Sequence, residues 1–385
     1  MRTSSFFLFF GIILVIYGLI NFYILKRGLQ VIPKDSPIRI YYIIIFLFLS
    51  LAYLGGRILE RFIPTFANDF LVSIGSFWLA AMVYFLLFVL LLDLLRLLNH
   101  FFPFFPAFIK DNFGVFKKYL AFFVTLIVII VIVFGHLNAI HPKIKTVNIK
   151  INKNVEGINE LNLAVISDIH LGTIIGRERF SKIVDEINKL NPDLILFVGD
   201  IVDESIGPVI NDNIGKCVER LKSKYGIYAV TGNHEFIGGV EAAIGYFSNH
   251  KVNWVRDSVV NIGDKVLLVG REDRMITRFT NKDRKPLAEI MSNVDYKIPI
   301  ILMDHQPIGL DEAVENNIDL QLSGHTHHGQ IWPLNYIAEN IYEVSWGYLK
   351  KGNTHFYVSC GVGTWGPPVR LGNTPEVVNI KLRFE

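Results

Sequence analysis

The sequence predicts an α/β chain in two parts: a bundle of about four membrane-spanning helices over residues 1–142, then an α/β sandwich over 143–385. Three observations lead there. Hydrophobic residues make up 51% of the chain and charged residues only 19%, against roughly 25% charged in an average soluble protein. That excess is concentrated before about Leu137. Beyond it, short apolar runs alternate with helical patterns, and Asp, Asn and His recur where the runs end.

A helix that crosses a bilayer needs roughly 20 mostly apolar residues. Phe6–Leu25, Ile38–Tyr53, Phe70–Leu92 and Tyr119–Leu137 fit, although the second is short. The third is able to continue as a partly amphipathic helix through Leu98. Leu120–Leu137 contains no Asp, Glu, Lys or Arg, which argues against buried helices of a soluble protein. The first stretch follows a weak basic start, Met1-Arg2, and no small-residue cleavage site comes after it. It therefore reads as an anchor rather than a removed signal. The aromatic run from His100 to Pro106 reads as a loop at headgroup level, where aromatic rings are favoured.

Charge divides the same way. Residues 1–143 hold 12 Lys and Arg against 5 Asp and Glu, and residues 144–385 hold 26 against 30. An acidic domain is a poor match for a polyanion, so no nucleic-acid partner is expected. Lys26, Arg27, Lys34, Arg39, Arg96, Lys110, Lys117 and Lys118 lie in the first and third loops; only Arg2, Arg57 and Arg61 lie on the other side. The positive-inside rule then places the C-terminal domain outside a cell membrane crossed several times. Lys143, Lys145, Lys150 and Lys153 after the last span nearly cancel that asymmetry, so an inward orientation stays open. The junction over Ala139–Lys153 is short, which predicts a domain close to the membrane. Cys217 and Cys360 have no paired metal-ligand spacing, which excludes a zinc ribbon and leaves two buried thiols, or one disulfide in an oxidising compartment.

In the second part, Leu161–Ile166, Leu194–Val198, Ile227–Val230, Val266–Val269, Ile300–Met303 and Leu320–Leu322 read as buried strands. Arg177–Leu190, Asn213–Lys224, Val240–Ser248 and Lys285–Met291 read as helices between them. Five of the strands run into metal-binding residue types: Asp168 and His170, Asp200 and Asp203, Asn233 and His234, His305, and His325 with His327. Loops at the carboxyl ends of strands in α/β sheets form the ligand crevice, so these loops are expected to converge.

Such a set suits two divalent cations. Two ions about 3.5–4 Å apart repel unless an anionic ligand lies between them, and Asp200 is the candidate bridge. Asp168, His170 and His327 would complete one site; Asn233, His305 and His325 the other. Mixed imidazole and carboxylate ligation favours Mn, Fe or Zn over Ca. Gly199, Gly232 and Gly324 are read as permissive residues for tight turns after strands. Any one motif alone is weak; all five in this order, each after an apolar strand, are not.

The ordered set over residues 160–330 resembles the calcineurin-like metallophosphoesterase superfamily. The run from Tyr357 through Gly361, Gly363, Trp365 and Gly366 to Arg370, followed by Pro375-Glu376, resembles its bacterial membrane-associated branch with the YkuE- and YaeI-like proteins. The resemblance implies a sandwich of two β-sheets flanked by helices. It implies that His234 is a catalytic group beside the scissile phosphate rather than a ligand, and that Asp203 hydrogen-bonds it. It also implies a metal-bridging hydroxide as nucleophile, without a covalent enzyme intermediate. Protein phosphatases of this superfamily carry arginine where this chain has Glu204, which argues against that activity. His328 replaces the glycine common in the branch, and either contacts substrate or flanks the metals.

The expected function is a membrane-anchored, dinuclear-metal phosphoester hydrolase, a phosphodiesterase or phosphomonoesterase. Its partners would be the lipid bilayer and a phosphoester substrate, for which lipid linkage is one option. The alternatives are a catalytically silent scaffold, whose sign would be eroded ligands, and an inward-facing hydrolase of a nucleotide-linked lipid pyrophosphate. The aromatic segment Trp332–Lys351, with Tyr336, Tyr342, Trp346 and Tyr348, is read as lining or capping the pocket, with core packing as the competing reading.

Overall fold

Four long apolar helices, Arg2–Leu29, Ile38–Glu60, Phe66–Phe101 and Phe113–Ala139, dominate the first unit of the computed structural model, which describes residues 2–60 and 66–385. Met1 and Arg61, which entered the signal and charge readings, lie outside the described residues. All four helices contain segments long and apolar enough to cross a membrane. The second is 23 residues long rather than short, and the third runs on to Phe101. Side chains such as Leu91, Phe122, Ile129 and Phe134 are exposed on them, as lipid-facing residues would be. Inside the unit, Trp78 packs with Ile24 and Phe46 and donates to Asn21 Oδ1 at 3.0 Å, pairing polar groups that would be costly unpaired in lipid. A Cβ on Gly75 would meet the Tyr53 backbone nitrogen at 2.1 Å, so the second and third helices approach where a small residue permits it.

The second compact unit begins at Leu137, a few residues before the predicted boundary, because the last residues of the fourth helix pack with it. Asn138 Nδ2 donates to the carbonyls of Arg370 and Asn373 at 3.0 and 2.8 Å. Twelve strands follow: β1 Lys143–Ile151, β2 Glu160–Ile166, β3 Leu194–Val198, β4 Ile227–Val230, β5 Val252–Trp254, β6 Ser258–Ile262, β7 Val266–Gly270, β8 Ile300–Met303, β9 Leu320–Ser323, β10 Gly347–Lys351, β11 Thr354–Val358 and β12 Glu376–Phe384. They form two six-stranded sheets, ordered β1-β12-β2-β3-β4-β5 and β10-β11-β9-β8-β7-β6. In each sheet the central strands run parallel: β2, β3 and β4 in one, β7, β8 and β9 in the other. The expected two-sheet sandwich is present.

Period-two alternation sorts the strand residues into layers. Leu163, Val165, Leu196 and Val198 meet Leu268, Ile301, Met303 and Leu322 between the sheets. Ala164, Ile166, Ile195 and Phe197 face outward against Phe180, Ile183, Val184 and Ile187 of the helix Arg177–Lys189. On the far side, Val269, Ile300 and Leu302 pack against Leu287, Met291 and Ala313. Strands covered on both faces read as unbroken apolar runs, which is why the central strands are the legible ones.

Some expected elements differ. Asn213–Lys224 is not one helix; Ile206–Asn211 and Gly215–Val218 are separate, because Asn213 adopts a left-handed backbone (φ 52°) between them. The predicted helix at Lys285 starts at Leu287, after Pro286 in an extended conformation. The supposed junction up to Lys153 contains β1, which pairs in parallel with β12 at the sheet edge. Both cysteines are buried and free.

Candidate metal centre

The loops that leave β2, β3, β4, β8 and β9 meet at one end of the sandwich, bound together mainly by their own backbones. Asp168 N–H donates to Gly199 O and His170 N–H to Asp200 O, at 3.1 and 3.0 Å. Gly324 N–H donates to His305 O at 2.9 Å. Positive φ angles occur at Asp168 (52°), His170 (52°), Asp200 (52°), His325 (70°) and His327 (46°). Non-glycine residues pay for this conformation with strain of order 1–3 kcal/mol each, and Asp and His are among the residue types that tolerate it best. Strain gathered in five metal-binding residue types marks this rim as built for something other than stability.

The predicted ligands fall into two neighbouring groups, and His170 also comes within ion-sharing distance of Asp203 and His234. Asp168, His170 and His327 place ligand atoms close enough to share an ion, and Asp200, His305 and His325 do the same. Asn233 belongs with the second group, its Oδ1 lying 2.8 Å from His325 Nδ1. In the first group His170 Nε2 and His327 Nε2 face each other at 2.9 Å, and Asp168 Oδ1 is 3.5 Å from His327 Nε2. Asp200 stands between the groups. Its Oδ1 accepts the His234 backbone N–H at 2.8 Å, while its Oδ2 is 3.1 Å from His305 Nε2 and 3.9 Å from His170 Nε2.

This arrangement fits divalent cations on its own chemistry. His305 Nδ1 is 2.7 Å from the Val198 carbonyl and must donate to it, so in the neutral ring Nε2 is a bare lone pair facing a carboxylate. That Nε2 is buried and makes no well-aligned hydrogen bond. Two such acceptors in a dry pocket need a positive charge between them, a proton on Nε2 or a bound metal ion in its place. Protonation behaves accordingly. Burial disfavours charge on His305, but Asp200, Asp168 and Asp273 outweigh it and raise its pKa well above the usual value. Burial and neighbouring histidines lower His170 to about 3 and His325 to about 4, and push His327 well below its normal range. These three are neutral imidazoles at pH 7, the form that ligates. Asp168 is pushed up to about 6, chiefly by burial, whereas His305, His234 and His170 overcome burial and hold Asp200 well below the ordinary carboxyl value.

His234 lies beside both groups, its ring 4.6 Å from that of His170. Its Nδ1 donates to the Asp203 backbone carbonyl in a short contact. The expected partner was the Asp203 carboxylate. That carboxylate instead stands 3.8 Å from His234 Nδ1 and 3.7 Å from His170 Nδ1, a counter-charge between two rings rather than a direct acceptor from His234. Burial lowers the His234 pKa, but Asp200 and Asp203 more than offset it and leave it raised.

Two glycines act differently from the turn role expected of them. Gly232 and Gly324 do not have positive φ. What they supply is room: a Cβ would sit 2.2 Å from Asp200 Oδ1 at Gly232 and 2.3 Å from Asp168 Oδ2 at Gly324. Gly199 does have φ +81°, as expected, and also lies against the His305 ring.

Glu235, which follows His234 and is not among the expected site residues, is a buried support. It is 1% exposed, and its carboxylate accepts from the backbone N–H groups of Asp200, Val202 and Gly232 at 3.1, 3.0 and 2.7 Å. It thereby locks the loop after β3 to the loop after β4. The signal was available, since a Glu three residues after the residue that precedes a helix caps its first turn. Burial, with Asp200 nearby, pushes its carboxyl up to about 7. Arg370 is the other buried support: its guanidinium donates to the Gly363 carbonyl at 2.6 Å and lies 3.1 Å from His327 Nδ1.

The flanking aromatics divide. Tyr342 stands 6.2 Å from the His325 ring, and Trp346 stands 5.3 Å from that of His328. Trp346 and Tyr348 line a separate cavity of about 590 Å³ with Lys145, Asn148 and Tyr357, and Tyr336 is exposed. His328 lies 2.9 Å from Ser345 Oγ and 3.5 Å from Glu339, so it flanks the centre.

Residues 161–329 match the family model described as calcineurin-like phosphoesterase. A transmembrane protein with metallophosphoesterase domain from Danio rerio is 31% identical over 272 residues, covering 67% of this chain and 61% of its own length. An uncharacterized metallophosphoesterase from Helicobacter pylori J99 is 32% identical over 244 residues, covering 63% and 64%. The chain thus spans less than two thirds of either protein. An uncharacterized metallophosphoesterase from Campylobacter jejuni, Cj0846, is 27% identical over 98% of this chain and 99% of its own.

Proposed function

From the premise that this chain carries a calcineurin-like phosphoesterase domain over residues 161–329, we propose that it is a membrane-anchored, two-metal phosphoester hydrolase. The observation that carries the reading is Asp200: one carboxylate oxygen is spent on a backbone N–H, and the other is directed between two histidine groups. Asp168, His170, Asp200 and His327 would hold one divalent ion, and Asp200, Asn233, His305 and His325 the second, drawn from Mn, Fe or Zn. Bound there, the pair supplies Lewis acidity toward phosphoryl oxygens and acidifies a bound water.

The chain's own residues do the rest. His234, with Nδ1 fixed on the Asp203 carbonyl, presents Nε2 as the donor for the leaving oxygen. Asp200 and Asp203 raise its pKa against the effect of burial, and the Asp203 carboxylate stabilises the charged ring. Glu235 and Arg370 keep the ligand loops from relaxing, so the donors are arranged before substrate arrives. No Ser or Cys stands where a nucleophile would be needed; Cys360 is buried, and burial raises its thiol pKa further.

The test uses the full-length protein in detergent, loaded with Mn, Zn or Fe and given paired mono- and diester substrates. Metal-dependent turnover of either class supports the reading. Silence across the panel with two ions bound would contradict it and favour a scaffold. The same proposal places the domain outside the cytoplasm, from the loop charges; a C-terminal reporter active only in the cytoplasm would contradict that orientation.

A further inference from the structure

Trp365 is an apolar residue left in the open on a backbone that is not free to move. Its side chain is 52% exposed, although its loop runs beside the ligand residues. Gln330 grips that loop from below: Gln330 Oε1 accepts the Trp365 N–H at 2.9 Å, and Gln330 Nε2 donates to the Trp365 and Pro367 carbonyls at 3.0 and 2.8 Å. Gln330 is itself 7% exposed, holds a left-handed backbone (φ 53°), and follows His327, His328 and Gly329 in the chain. Nearby, Gly363 donates to the Asp168 carbonyl at 2.9 Å, and a Cβ there would meet the Ile169 carbonyl at 2.1 Å. The loop is thus clamped to the same backbone that positions the metal ligands. An exposed indole gains little for stability, so fixing one this firmly calls for a ligand that uses it.

Its neighbour indicates which ligand. The Trp365 ring lies edge-on to His234, 6.0 Å between centroids at 74°. With His234 Nδ1 committed to the Asp203 carbonyl, the leaving oxygen belongs at Nε2. Whatever that oxygen carries has to pass out beside His234, where the indole stands. We propose that Trp365 is a specificity-determining platform for the leaving group, selecting phosphoesters whose leaving group is a planar, aromatic moiety. The inference rests on the role assigned to His234. Stacking of such a group on an indole face favours it over a small alkyl group by about tenfold in affinity.

Non-hydrolysable phosphonates test this without turnover. The metal-loaded full-length protein is titrated with methyl-, cyclohexyl- and phenylphosphonate, and the dissociation constants are compared in wild type, Trp365→Phe and Trp365→Ala. The expected result is phenyl about tenfold tighter than methyl and clearly tighter than cyclohexyl in wild type. The preference should be mostly kept by Trp365→Phe and lost in Trp365→Ala, with the methylphosphonate constant unchanged. A phenyl preference that survives in Trp365→Ala overturns the platform, and cyclohexyl binding as tightly as phenyl overturns the requirement for planarity. If no phosphonate binds the metal-loaded wild type at all, the phosphoester site itself is wrong, a failure distinct from equal binding of all three, which removes only the platform.

Discussion

Asp200 Oδ2 and His305 Nε2 stand 3.1 Å apart while His305 Nδ1 is held by the Val198 carbonyl. A carboxylate oxygen and an imidazole nitrogen this close in a buried site share either a proton or a metal ion, and a bound ion would replace that proton. Asp200→Asn removes the anion that both ion sites share. We expect it to reduce bound metal to one ion or fewer per chain, measured by elemental analysis after dialysis, and to lower kcat at least 10³-fold. Full occupancy in the variant would show that Asp200 bridges nothing.

His234→Ala leaves every proposed ligand in place. Two ions per chain should remain, with kcat down about 10²- to 10⁴-fold. The loss should be steeper for an alkyl ester than for a p-nitrophenyl ester, since a good leaving group needs little protonation. Equal losses for both esters would remove the acid role.

Gly324→Ala probes the space argument. The added Cβ would lie 2.3 Å from Asp168 Oδ2, so the carboxylate or the loop has to shift. Metal affinity should fall about 10- to 100-fold, comparable to losing a supporting residue of a metal site. An unchanged affinity would mean that Gly324 is only a convenient turn residue.

Much of this centre was legible because each ligand lies within a few residues of the end of a short apolar strand. Leu194–Val198 before Asp200 and Ile300–Met303 before His305 are buried on both faces and read as unbroken runs. The sheet edge was not legible. Lys143–Ile151 pairs with Glu376–Phe384 from the other end of the domain, and its exposed, lysine-bearing pattern resembles a linker until that partner is known. Only the capping of its own helix by Glu235 was legible; its bonds to the backbone of a loop more than 30 residues earlier leave no side-chain pattern. The Asp203 carbonyl was invisible for the same reason: a sequence advertises its carboxylate, not its backbone.

Glu235→Ala tests that hidden support. It strands three buried backbone donors, which costs about 1–3 kcal/mol for each that finds no water. The melting temperature of the metal-free protein should drop by several degrees, and metal should dissociate faster. A variant as stable as wild type would show that the two loops hold themselves.

Glu376 provides a pH test away from the ligands. It accepts from Trp346, Tyr357 and Cys360 at 3.0–3.3 Å, yet burial leaves its carboxyl raised above the ordinary 4.5. A raised folded-state value means that its contribution is fully present below pH 4.5 and is lost as pH climbs through the folded value. Glu376→Gln should therefore flatten the fall in melting temperature from pH 4.5 toward neutrality. Parallel pH profiles for the two proteins would contradict this.

The most direct measurement is a crystal structure of the Mn-loaded protein with anomalous data collected at the metal edge. Two peaks about 3.5–4 Å apart, both contacted by Asp200, one also by Asp168, His170 and His327 and the other by Asn233, His305 and His325, are the predicted result. A single peak, or two peaks that do not share Asp200, would contradict the account.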